Sequence, residues 1–106
     1  MLKYRNKPTW YGGVKYQSAK EAKYAMDLDW RLKGKEIKDW TRQPRFDFII
    51  NGKFAGFYKL DFMITHLDGS TEFIEVKHKQ TKTALWAFKW KILHILYPEV
   101  KFTLYE

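Results

Sequence analysis

Two runs of alternating residues flank Leu67-Asp68-Gly69-Ser70, and their pairing leaves the chain little freedom. Side chains alternate along a strand, so Leu60, Phe62 and Ile64 share one face before the turn, and Lys59, Asp61 and Met63 share the other. After the turn, Ile74 and Val76 oppose Phe73, Glu75 and Lys77. A two-residue Asp68-Gly69 loop would set Asp61 across from Val76 and scramble the apolar faces. A three-residue loop of Leu67, Asp68 and Gly69, with glycine in the left-handed third place, restores them. Asp61 then lies opposite Glu75 with Lys77 on the same face, while Leu60, Phe62 and Ile64 join Ile74 and Val76. A bulge in either strand would have the same effect. The apolar pattern therefore selects the register that gathers the charged trio.

That trio has a definite chemistry. Opposed strand residues have Cβ atoms about 5 Å apart. Two carboxylates so close repel unless a cation bridges them or one takes a proton. An oxygen-rich pair suits Mg²⁺ or Mn²⁺, with water in the remaining positions. Such a metal lowers the pKa of bound water and neutralises charge building on a phosphate. Lys77 is then placed to address the attacking water or the phosphoryl oxygens.

The remaining elements read around this hairpin. Ser18 to Lys33 is a helix, opened by the capping-box pattern Ser18-Ala19-Lys20-Glu21 and closed by Gly34. Ala25, Leu28 and Leu32 form its inner stripe, with Glu21 one turn before Ala25. Arg45 to Ile50 alternates as a strand after Gln43-Pro44, and Asn51-Gly52 turns it into a second strand from Phe54 to His66. Thr71 to Lys77 is the third strand. Thr83 to Tyr97 is a second helix with two apolar stripes: Leu85, Phe88, Ile92 and Leu96, and Trp86, Trp90, Leu93 and Tyr97. Val100 to Tyr105 is a final strand after Pro98. Residues 1–17 read as a basic, aromatic arm with a short strand near Val14-Lys15-Tyr16. The fold class is α/β, in a single domain of 106 residues.

Composition narrows the partner. The net charge is +8, and aromatic residues make up 19% of the chain, more than so small a core needs. A basic, ring-rich surface favours nucleic acid over an anionic membrane. No segment has the apolar length to span a bilayer. The absence of cysteine excludes a disulfide framework and a thiolate zinc site, and fits a reducing compartment. The three histidines, His66, His78 and His94, have no zinc-ligand spacing.

Glu21 on the first helix, Asp61 on the second strand and Glu75-Val76-Lys77 on the third resemble the PD-(D/E)XK nuclease superfamily. The runs Ser18-Ala19-Lys20-Glu21-Ala22, Gln43-Pro44-Arg45-Phe46 and Asp61-Phe62 resemble most closely small phage-encoded members. Many of these have no assigned function, and some are discussed as Holliday junction resolvases. The resemblance spans roughly Tyr11 to Phe102. It implies a restriction-endonuclease-like core: helix, three antiparallel strands, helix, strand, with a central mixed sheet flanked by helices. It makes Asp61 and Glu75 metal ligands, Lys77 the catalytic lysine and Glu21 a supporting carboxylate, with Mg²⁺ or Mn²⁺ as cofactor. It departs from the superfamily pattern at Leu60, where the name-giving proline would stand.

The expected activity is metal-dependent hydrolysis of DNA, directed at branched structures such as Holliday junctions, by a homodimer in the cytoplasm of a phage-infected bacterium. The alternatives are a non-catalytic DNA-binding or packaging-associated protein on the same fold, and an exonuclease or nickase. Arg42, Arg45, His78, Lys79, Gln80, Lys82 and Lys89 are candidate DNA contacts. For Glu21 the competing role is a plain capping-box glutamate bonded to the Ser18 amide.

Overall fold

The computed structural model describes residues 7–77 and 82–106. In chain order its elements are β1 (Thr9–Tyr11), β2 (Val14–Tyr16), α1 (Ala19–Lys33), β3 (Asp39–Arg42), β4 (Arg45–Ile50), β5 (Lys53–Lys59), β6 (Phe62–Thr65), β7 (Thr71–Val76), α2 (Ala84–Leu96) and β8 (Phe102–Tyr105). The fold is mixed α/β, as the sequence predicts. A four-stranded sheet runs β3-β6-β7-β8, antiparallel except for the parallel β7–β8 pair.

The Leu67–Ser70 turn has the expected three-residue loop. The His66 N–H donates to the Ser70 carbonyl at 2.8 Å, the Gly69 N–H donates to the His66 carbonyl at 2.9 Å, and Gly69 sits at φ +88°. Phe62 pairs with Ile74 and Thr65 with Thr71. One step further along that register, Asp61 stands opposite Glu75.

The long strand expected from Phe54 to His66 is broken. It divides into β5 and β6 at Leu60-Asp61, and β4 is preceded by a strand, β3, that the sequence reading did not contain. The pairs Arg42 with Phe62 and Arg45 with Lys59 keep one continuous register across the break. At the break the Gln43 N–H donates to the Asp61 carbonyl and the Leu60 N–H to the Pro44 carbonyl, each at 3.0 Å. The four strands are thus one long hairpin with a crease, opposite which Gln43 adopts a left-handed φ of +54°. Pro44 lacks a donor and restricts the residue before it, so the ladder yields there. The crease also turns Leu60 away from Phe62 and Ile64, contrary to the expected shared face.

Each face of the sheet carries one helix. Under α1, Ala22, Ala25 and Leu28 pack on Phe62, Ile64, Ile74, Val76 and Ile37. Under α2, Leu93 packs with Leu60, Phe48 and Tyr58, bordered by Trp86, Trp90 and Tyr97. Ser18 caps α1 and Thr83 caps α2, each accepting an N–H of the first turn. From Thr9 onward the expected N-terminal arm is instead part of the body: β1 and β2 form a hairpin, and Tyr16, 2% exposed, enters the α1 core.

The stripe Trp86, Trp90, Leu93 and Tyr97 faces inward and is occupied within the chain, so it is not left for a second copy. The other stripe divides, Ile92 and Leu96 packing on the same core. Leu85, Phe88 and Ile95 face outward, each more than 60% exposed. Among the described residues, no helix is long and apolar enough to cross a membrane.

Candidate active site

The crease delivers three carboxylates to one end of the sheet. Glu21 comes from the first turn of α1, Asp61 from the break between β5 and β6, and Glu75 from β7. Glu21 and Glu75 are buried, at 8% and 7% exposure. The Ser18 hydroxyl accepts the Glu21 N–H at 3.1 Å, so the Ser18 half of the capping box forms. The Glu21 carboxyl instead lies beside that of Asp61, whose charge raises its pKa. Asp61 Oδ2 accepts the Val76 N–H at 2.7 Å, which leaves Oδ1 for another partner. Lys77 Nζ stands 4.0 Å from Glu75 Oε2 and 5.2 Å above the Trp86 ring.

Burial pushes all three acids up, and at Glu21 and Glu75 the Asp61 charge adds to it. Desolvation, then the Asp61 charge, raises Glu75 from 4.5 to about 8, with Lys77 opposing. Desolvation and then Asp61 raise Glu21 to about 7, with Arg42 opposing. Asp61 is raised by burial, against the Val76 amide and the charges of Lys77 and Arg42. Among the described residues, Glu75 Oε1 is buried without a hydrogen-bond partner. Native interiors seldom leave such an oxygen unpaired.

Among the described residues, no three acidic or histidine side chains, as they stand, form a ready-made metal cage. The donor set still fits a small hard cation. It consists of carboxylate oxygens, one of them unpartnered, in a cluster whose charges repel without a counter-ion.

Two neighbours were missed by the sequence reading or read differently. Arg42, expected on a basic surface, turns inward beside Glu21 and Asp61, with its guanidinium 4.6 Å from the Tyr16 ring. Its signal was its place two residues before Pro44, but the strand containing it was not recognised. Tyr58, 6% exposed, accepts the Trp86 indole N–H at 2.7 Å and lies beside Glu75. Burial, chiefly, and the Glu75 charge raise its phenol well above the usual range. An aromatic residue on a strand carries no local mark of such a role.

The other candidate contacts are scattered. Arg45 lies on the β4–β5 ribbon, 2.9 Å from Asp47 and 3.9 Å above the Phe57 ring. Lys82 pairs with Glu106. Lys89 lines a groove of about 370 Å³ with Phe57, Tyr58, Lys59, Glu75 and Thr83. His78, Lys79 and Gln80 lie outside the described residues. A larger hollow of about 580 Å³, beside Tyr11 and Trp30, is remote from the carboxylates. Its Asp29 already accepts from the Tyr11 hydroxyl at 2.5 Å and the Trp40 indole at 2.9 Å, so it offers little further chemistry.

Neither a curated protein nor a solved structure matches the chain. A family model covers residues 1–105, and the chain therefore belongs to the family described as "Protein of unknown function (DUF1064)".

Proposed function

We propose that this chain is a metal-dependent endonuclease of the PD-(D/E)XK type, hydrolysing phosphodiester bonds in branched DNA. The observation that carries the reading is the convergence of Glu21, Asp61 and Glu75, one oxygen of Glu75 being buried and unpartnered, beside the Lys77 ammonium. Asp61 and Glu75 hold Mg²⁺ or Mn²⁺, and Glu21 supports them. A cation there supplies an acidified water and neutralises charge on the phosphate. Lys77 orients the nucleophile or stabilises the phosphoryl oxygens, and its contact with Trp86 fixes its direction. Arg42 offsets the negative charge on the α1 side. The net charge of +8 draws a polyanion towards the site.

Cutting opposed strands of a junction takes two sites, and a homodimer supplies them. The outward Leu85, Phe88 and Ile95 of α2 are the apolar surface available to a second copy.

The test is a panel of labelled four-way junction, flap, duplex and single strand with Mg²⁺, Mn²⁺ or EDTA. The parent cuts the junction with metal and not with EDTA. Asp61→Ala and Lys77→Ala each lower the rate by at least about 100-fold, the scale on which single electrostatic groups act. Variants that cut as fast as the parent would remove the assigned roles. A second reading rests on the Asp61–Val76 bond, which gives Asp61 a structural task. On that reading the protein binds DNA without cutting it, and binding survives alanine at Asp61 and Glu75.

A further inference from the structure

The groove between β5 and the start of α2 opens onto Glu75, yet none of its other residues belongs to the proposed hydrolytic set. Its walls carry cations from two elements, Lys59 on β5 and Lys89 on α2. Arg45 adds a third beside it, stacked 3.9 Å above the Phe57 ring that lines the same wall.

The groove also meets the N-terminus of α2, a helix of 13 residues. Thr83 caps it by accepting the Trp86 N–H at 3.0 Å, and its first turn contains no acidic residue. No acidic residue of that turn offsets the partial positive charge of the helix start, and such ends favour phosphate oxygens. The groove also borders the proposed metal site, since Glu75 lines it. A cation held by Glu75 and Asp61 would offset the carboxylate charge that a phosphate entering the groove would otherwise meet.

Resting on the nuclease reading above, we propose that this groove seats one backbone phosphate of an unpaired nucleic-acid strand, held by Lys59, Lys89 and the α2 N-terminus and leading the strand to the carboxylates. At about 370 Å³ the groove has room for a nucleotide-sized group. The Phe57 ring, 40% exposed, gives the sugar or base an apolar wall. The substrate is accordingly DNA that presents a single-stranded element next to the cleavage point.

Fluorescence anisotropy with a labelled oligothymidylate in EDTA measures binding without cleavage. Lys59→Ala and Lys89→Ala each weaken binding about 3- to 10-fold. Each also flattens the dependence of log K on log salt by about 0.7, the loss of one phosphate contact on a single strand. Lys101→Ala, an exposed lysine beside Glu72, leaves both values at the parent level. Thermal melts confirm that the variants fold. The groove assignment is overturned if Lys59→Ala and Lys89→Ala bind as the parent does. Equal weakening by Lys101→Ala, or parent binding to blunt duplex but not to oligothymidylate, overturns it too. The cleavage panel separates the two ideas: metal-dependent cutting by a parent whose groove variants bind normally removes the groove and keeps the nuclease.

Discussion

At Glu75, burial and the neighbouring Asp61 charge act in the same direction, and the same holds at Glu21. Their folded pKa values lie above the ordinary 4.5, so the folded state holds more protons than the unfolded chain from that value up to about 8 for Glu75 and about 7 for Glu21. Stability therefore declines as pH rises through this window. Metal-free protein melts at a lower temperature at pH 8 than at pH 5, and millimolar Mg²⁺ recovers part of the loss at pH 8. Glu75→Gln removes the buried charge and keeps the shape. It raises the metal-free melting temperature at pH 8 by several degrees, corresponding to about 1 kcal/mol, and changes it little at pH 5. A melting temperature that climbs with pH in the metal-free parent contradicts the packing of these acids. The opposition of Asp61 and Glu75 was legible because the apolar faces admit one register. Glu21 was ambiguous, since a capping glutamate and a site carboxylate occupy the same helical position. Arg42 and Tyr58 were not legible as neighbours of the site, because their environment is set by strand pairing and by α2.

The elements show where local pattern stops being informative. Gly69 at φ +88° and Asn51-Gly52 with φ of +53° and +76° made both turns legible, since few residues accept those angles. The break at Gln43-Pro44 was legible from the proline, but the matching break at Leu60-Asp61 was not. Alternation continues through Leu60-Asp61 on paper, while the proline and the left-handed Gln43 across from it redirect the ladder in space. Strand β3 was missed because Asp39–Arg42 is too short to display a period, and its pairing with β6 makes it a strand. In α2 the sequence yields two apolar stripes and no rule for choosing the inner one. Leu93, fully buried between Leu60 and the Trp90 side of the helix, answers that question. Leu93→Ala costs about 2–5 kcal/mol in urea unfolding, the range for a buried leucine that leaves a cavity. A loss under about 0.5 kcal/mol would mean that α2 packs by its other face.

As a whole, the molecule leaves Leu85, Phe88 and Ile95 of α2 turned outward, an apolar surface that a second copy would cover. Light scattering at micromolar concentration returns about twice the chain mass, and Phe88→Glu returns the single mass with an unchanged far-ultraviolet spectrum. A parent that stays monomeric removes the dimer and, with it, paired cutting of a junction. The proposed metal site asks less: that the three acids from α1, the crease and β7 hold one cation between them. Titration of Mn²⁺ followed by loss of the free-ion electron paramagnetic resonance signal addresses it directly. The parent binds Mn²⁺ saturably at pH 8, and Glu75→Gln and Asp61→Asn each weaken that binding at least about tenfold. Mn²⁺ binding of equal strength in all three proteins, or none in the parent, would contradict it.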